Sequence, residues 1–357
     1  MATESKNSTA SSNGRRVFEV RKAVRQSVPI WIGLGGASGG GKTLSALRLA
    51  TGIQKIVGGR ISVLDTEAER AAVYAPKEGD KPRPPETFDF DHVPFLPPFS
   101  SLDYLDAVQQ CYESGSRIVI IDSFSHEHES AGGLLEQFEE ELHRLAGDDE
   151  DKANRMKMLA WKKPKAGRRK MINALLQMKL CVIGCFRTKN ALELKKGQDP
   201  KKLGEVPVTG DGLIYEFPLR LLVKAGSEGK PTLDSQEAGE RQWIRVPQFF
   251  RHLVSAQAQL DERLGEEIAK WASGTIDENS PYVRIAKAIS VARDKKALDA
   301  IQKDLAEVPK TKSMPPNEFR ILQDSFRERA KEVAELIKAE GYDADTGEVL
   351  DEKKGAA

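Results

Sequence analysis

The run Gly36, Ala37, Ser38, Gly39, Gly40, Gly41, Lys42, Thr43 constrains this chain more than any other feature. It has the form GxxxxGK[ST] and stands between an apolar run at 30–34 and a helix-competent run at 44–50. Glycines let such a loop curl until its backbone N–H groups face a phosphate, and the next helix points its positive end at the same place. Those eight residues and Leu44 are therefore the expected nucleotide cradle. Lys42 is expected to reach the β- and γ-phosphates, and Thr43 to offer its hydroxyl to Mg²⁺. A glycine-rich turn with no ligand is the plain alternative.

A loop of this kind needs a parallel sheet around it. Short β-branched runs at 30–34, 61–65, 118–122, 180–186 and 219–223 alternate with helical stretches, which predicts an α/β core with a largely parallel sheet flanked by helices. Residues 118–122 end in Asp122, an apolar strand tipped by an acid that can support the metal. Hydrolysis also needs a group to orient or deprotonate water, and Glu67, just past the strand 61–65, is the candidate. Glu69, Glu127 and Glu129 are its rivals.

Asp65-Thr66-Glu67, Asp122-Ser123 and the order of these pieces resemble the RecA-type recombinase core, over roughly residues 29–225. The wording from Asp122 to Glu129, followed by Gly132 and Gly133, is similar to phage RecA-like ATPases of the AAA type, related to core-only single-strand annealing recombinases. The resemblance implies a RecA-like P-loop fold, ATP with Mg²⁺ bound at a subunit boundary, and Glu67 activating water. It also implies assembly into a ring or filament, and a place in the cytoplasm of a phage-infected bacterium. That family carries a glutamine where the fourth strand senses γ-phosphate; this chain has Cys185 there and Arg187 two residues on. Arg187 is thus either a substitute sensor or an ordinary surface arginine.

The same resemblance places two DNA loops after Asp122. Lys152, Arg155, Lys157, Lys162, Lys163, Lys165, Arg168, Arg169 and Lys170 cluster around Trp161 where the first would fall. Phosphate contacts from the lysines and arginines, with Trp161 stacking on a base, would hold single-stranded DNA. A solvated helix face balancing the acids of 136–151, with Trp161 in the core, is the alternative. Lys189, Lys195, Lys196, Lys201 and Lys202 lie where the second loop would fall, before Thr209 to Gly212, and disorder without DNA is expected there.

Composition narrows the rest. Lys plus Arg (55) and Asp plus Glu (54) leave a net charge of +1 across 357 residues, so attraction to nucleic acid depends on local clusters. Three cysteines are too few for a disulfide framework, no run is long and apolar enough for a membrane span, and residues 1–16 lack an export signal; a cytosolic chain follows. Cys181 and Cys185 on one face of a strand read as buried thiols, and His126 and His128 lack further ligands for zinc.

The expected organisation is a disordered basic arm at 1–28, an ATPase core at 29–255, a linker at 256–280, a helical module at 281–342 and a flexible tail at 343–357. Residues 77–98 should form a surface excursion, and Pro309 and Pro315–Pro316 should break the C-terminal helices. Those helices could contact a single-strand-binding or recombination partner. The leading expectation is a DNA-dependent ATPase of the RecA type in phage recombination or strand annealing. A P-loop phosphotransferase and a non-catalytic ATP switch that loads a partner protein are the alternatives.

Overall fold

The computed structural model describes residues 28–77, 86–193, 201–210, 212–273, 281–311, 314 and 316–340. The N-terminal basic arm and the expected tail at 343–357 fall outside the described residues, as do Lys195 and Lys196.

β1 (Trp31–Gly36) leads through the glycine loop into α1 (Lys42–Val57), and β2 (Arg60–Asp65) follows. Next come β3 (Asp91–Pro94), α2 (Ser101–Glu113), β4 (Ser116–Asp122) and four helices, α3 (His126–Glu129), α4 (Leu134–Ala146), α5 (Glu150–Ala160) and α6 (Lys162–Gln177). β5 (Cys181–Glu193) and β6 (Lys201–Pro207) form a hairpin, and β7 (Leu219–Leu222) closes the sheet. The chain continues with α7 (Ala238–Trp243), α8 (Glu262–Ser273), α9 (Pro281–Val291), α10 (Lys295–Thr311) and α11 (Pro316–Glu340). The strand order is β3-β2-β4-β5-β1-β7, every neighbouring pair parallel, and β6 joins β5 antiparallel. None of the helices among the described residues is long and apolar enough to cross a membrane.

Alternation along each strand sends apolar side chains to both faces, as a sheet covered on two sides requires. Ile118 and Ile120 of β4 join Ile32, Leu34, Ile61 and Ile183 under α1 and α8. Val119 and Ile121 face the other way, toward α2, α6 and an aromatic cluster containing Tyr104, Phe124, Phe186, Phe217 and Trp243. Cys181 and Cys185 share the α1 side, and Cys111 lies in the aromatic layer; all three are buried free thiols.

The five expected strands are present, and the departures concern what lies between them. Residues 91–94 of the expected surface excursion add β3 to the sheet edge, anchored by buried Phe88 and Phe99. The stretch expected as a second DNA loop is largely the β5–β6 hairpin, in which Thr188 pairs with Pro207 and Glu193 with Lys201. Residues 262–273 of the expected linker form α8, whose Leu264, Ile268, Ala269 and Ala272 are core residues. Its acidic and basic residues mask an apolar face that repeats at helical spacing. α9, α10 and α11 pack on the same core through Ile285, Ile289, Ile301, Leu305 and Leu322. Pro309 does not break α10; it lies inside the helix, two residues before its last residue, Thr311.

α1 and α8 meet backbone to backbone. A Cβ on Gly52 would stand 1.8 Å from the carbonyl oxygen of Glu262, and one on Gly265 would stand 2.1 Å from that of Leu49. Arg48 of α1 clamps the pair with hydrogen bonds to Glu262 at 3.1 and 3.2 Å. Because backbone carbonyls cannot rotate away as a side chain can, Gly52→Ala should separate the helices and cost at least about 1–3 kcal/mol in urea unfolding. An exposed control such as Gly147→Ala meets no atom within 4 Å, although its positive φ of 62° adds backbone strain of its own, about 1 kcal/mol. The expected outcome is a larger loss at Gly52 than at Gly147.

Candidate functional site

Parallel pairing brings the ends of β1, β2 and β4 and the middle of β5 to one edge. Gly36 at the end of β1 lies opposite Arg187 of β5, Asp122 at the end of β4 lies opposite Cys185 of β5, and Asp65 at the end of β2 lies opposite Asp122. The carboxyl edge of such a sheet is where loops leave a crevice. Here it is a cleft of about 450 Å³ whose walls include Lys42, Thr43, Glu67, Asp122 and Arg187.

The glycine loop takes its shape from the strand beside it. A Cβ on Gly36 would lie 2.2 Å from the carbonyl oxygen of Val223, so only glycine fits there, and Gly41 enters α1 at φ 88°. Ser38, Gly39 and Gly41 border the cleft, while Leu44 turns its side chain toward the core and can contribute only backbone. Lys42 is buried, and its Nζ donates to the carbonyl oxygens of Gly36 and Ala37, each at 2.9 Å. The Thr43 hydroxyl donates to the Asp122 carboxylate. Those two side chains put hard oxygen atoms side by side at the cleft, a donor set that suits Mg²⁺ completed by water and phosphate.

Asp122 is 5% exposed, and burial pushes its carboxyl from 3.8 up to about 6. The nearby charges of Glu67 and Asp65 push the same way, while the Thr43 hydroxyl and Lys42 oppose them. Glu67 behaves differently. Burial works to raise its carboxyl, but the hydrogen bond and charge of Arg187, with His126 and Arg70 behind them, hold it below its ordinary value. Arg187 Nε lies 2.7 Å from one Glu67 oxygen and Arg70 Nη1 lies 3.2 Å from the other.

The turn that presents Glu67 is built around Asp65. Its carboxylate accepts from the backbone N–H of Glu67 at 2.8 Å and of Ala71 at 2.9 Å, and His92 Nε2 lies 3.1 Å away. Thr66 ties this turn to β4, because its hydroxyl accepts from Ser123 N at 2.7 Å and its N–H donates to Asp122 O at 2.8 Å. His126 Nδ1 meets the same hydroxyl at 2.7 Å, and burial, then the Arg187 charge, lowers its pKa. Among the described residues no group of three or more His, Cys, Asp or Glu is arranged to hold a metal.

Of the rivals to Glu67, neither Glu69 nor Glu129 lines the cleft, and Glu127 is fully buried on its far side. Cys185 is also fully buried, its thiol raised well above the usual range by burial and then by Asp122. Arg187, and not Cys185, faces the cleft from β5. Thr66 and Arg70, which position and neutralise Glu67, were not singled out in the sequence; their adjacency to Asp65 and Glu67 was the available signal.

A second cleft of about 680 Å³ lies between α6 and the turn after β6. Lys165, Arg169 and Trp161 border it on one side, and Thr209, Gly210 and Gly212 on the other. Trp161 is stacked on Phe138, with ring centroids 4.3 Å apart and planes at 16°, and Lys165 Nζ lies 5.4 Å from its centroid. Arg155, Lys157, Lys162 and Lys163 are exposed on α5 and α6 but do not line the cleft.

Arg168, expected among the DNA contacts, also borders this cleft, but its guanidinium is already engaged. The residue is 4% exposed and forms a two-pronged ion pair with Glu127, through Nε at 3.0 Å and through Nη2. Helical spacing explains it, since residue 168 falls on the inner face of α6 with Met171 and Leu175.

No protein-family model matches the chain, and no curated protein does. The fold and the site therefore stand on their own geometry.

Two measurements follow. Asp122 has a raised pKa, so the stability present while it is protonated, below about pH 3.8, is lost as pH rises through about 6. Asp122→Asn should therefore stabilise the ligand-free protein at pH 8 by about 2–3 kcal/mol in urea unfolding, with the gain fading below pH 6. Arg168→Ala would strand the Glu127 charge in the interior and should cost about 3–5 kcal/mol in the same assay.

Proposed function

We propose that the chain is a DNA-dependent ATPase with a RecA-like P-loop core, binding single-stranded DNA in homologous recombination or strand annealing. The observation that carries the proposal is the convergence of Lys42, Thr43, Glu67, Asp122 and Arg187 on one cleft at the carboxyl edge of the sheet. A glycine loop, a lysine, a hydroxyl with a buried acid, a second acid and an arginine form a complete set for transfer of a terminal phosphoryl group to water.

In this reading Lys42 leaves the carbonyls of Gly36 and Ala37 for the β- and γ-phosphate oxygens of ATP. Mg²⁺, when bound, screens the phosphate charges. Thr43 and Asp122 hold it. Glu67 orients the attacking water and takes its proton as the bond from the γ-phosphorus to the bridging oxygen breaks. Arg187 neutralises charge on the γ-phosphate, which requires it to loosen its bond to Glu67. Single-stranded DNA would lie along the basic cleft bordered by Lys165 and Arg169, which Thr209, Gly210 and Gly212 face. Assembly into a ring or filament and a partner for the C-terminal helices belong to the same proposal.

ATP hydrolysis measured with and without single-stranded DNA tests it. DNA should raise turnover of the native protein, and retention of DNA should weaken steeply with salt. Lys42→Ala should abolish turnover. Glu67→Gln should keep ATP binding and lower kcat by about 10²–10⁴. Normal turnover in Glu67→Gln would remove its assigned role. Transfer of phosphate to a small acceptor without any response to DNA would replace the whole reading with a phosphotransferase.

A further inference from the structure

The Glu127–Arg168 ion pair is the most deeply buried charged pair among the described residues, with side chains 0% and 5% exposed. A well-packed apolar pair of similar volume usually serves stability as well or better, so burial of two charges needs another explanation. Position supplies one. The segment from Asp122 to Glu127 is tied to the first cleft at three residues: Asp122 lines it, the Ser125 hydroxyl accepts from Arg187 N at 2.9 Å, and His126 meets Thr66 beside Glu67 at 2.7 Å. Glu127, next in line, turns the opposite way, to Arg168 and to the Ser101 hydroxyl at 2.5 Å.

Arg168 in turn supports the second cleft. A Cβ placed on Gly210 would stand 2.1 Å from Arg168 Nη1, so the guanidinium is pressed against the backbone of the turn that forms one wall. The other wall includes Lys165 and Arg169, each within one helical turn of Arg168 on α6. A single ion pair therefore joins the segment that holds Asp122 to both sides of the basic cleft.

We infer that Glu127 and Arg168 are positioning residues that couple the Lys42 cleft to the basic cleft, so that occupation of one changes affinity at the other. The inference rests on the function proposed above. A shift of the segment 122–127 when Arg187 and Asp122 engage a ligand would move Glu127, and the two-pronged geometry would force Arg168 and the turn at Gly210 to follow.

The test measures the affinity of a dye-labelled oligothymidylate with and without a non-hydrolysable ATP analogue, on the full-length protein. The ratio of the two affinities is the coupling factor. The native protein should show a factor of about tenfold. Glu127→Leu with Arg168→Met replaces the pair by apolar side chains, and its fold is checked by thermal unfolding. Gly210→Ala keeps both side chains of the pair and forces the guanidinium and the turn apart, which keeps the test informative should the double variant not fold. Both should bring the factor close to one, and Arg168→Lys, which keeps the charge and one prong, should restore part of it. Native-level coupling in Gly210→Ala and in the folded double variant would overturn the inference and leave the proposed function standing. A native protein that binds both ligands without coupling would overturn the inference alone. Absence of nucleotide and DNA binding in the native protein would remove both.

Discussion

Insertion of β5 between β1 and β4 is the constraint on which the rest of the site depends. Parallel register carries Gly36, Arg187 and Asp122 to the same edge, and the pairing of β4 with β2 adds Asp65 and the turn that bears Glu67. No side chain has to reach across the molecule. Each is delivered by the end of a strand whose other residues are locked in a core with apolar groups on both faces. Precision at the edge therefore comes from burial elsewhere, through a sheet too well packed to shear.

The polar groups at that edge are already engaged within the protein. Lys42 is held by two carbonyl oxygens of its own loop, Thr43 by Asp122, and Glu67 by two arginines. Binding of an anionic ligand must exchange these partners, because each group it would contact is already engaged. The exchange is least costly for Lys42 and Arg187, whose present partners are a neutral carbonyl pair and a carboxylate kept partly in water. Asp122 is the exception to this mutual satisfaction. Its raised pKa records a buried acid whose charge the neighbouring Lys42 and Thr43 do not fully compensate.

Much of this was legible in the sequence, and the parts that were not share a physical cause. The glycine loop, Asp122 and Glu67 could be placed because their neighbours are strongly patterned strands whose ends must align in a parallel sheet. Arg187 could be placed only as one of two readings, since Cys185 and Arg187 share a face of β5 and only the register, which sets Cys185 opposite Asp122 and Arg187 opposite Gly36, shows which of them reaches the edge. The ion pair of Arg168 was not legible because a run of lysines and arginines hides the one that lies on the inner face of α6. α8 was missed because Glu, Arg and Lys residues mask its apolar face, and Gly265 replaces bulk with backbone contact. The β5–β6 hairpin was hidden by lysines, which a two-stranded ribbon standing away from the core tolerates on both faces.

The close approach of α1 and α8 at Gly52 and Gly265 changes what counts as one unit in this chain. α1 begins at the glycine loop and, three turns later, is seated directly on α8, which shares its core with α9, α10 and α11. The C-terminal helices thus share a core with the helix that seats α1, and a recoil of α1 along its axis would be felt some fifty residues beyond the sheet's last strand. A partner gripping the C-terminal end would hold, in effect, the handle of the loop.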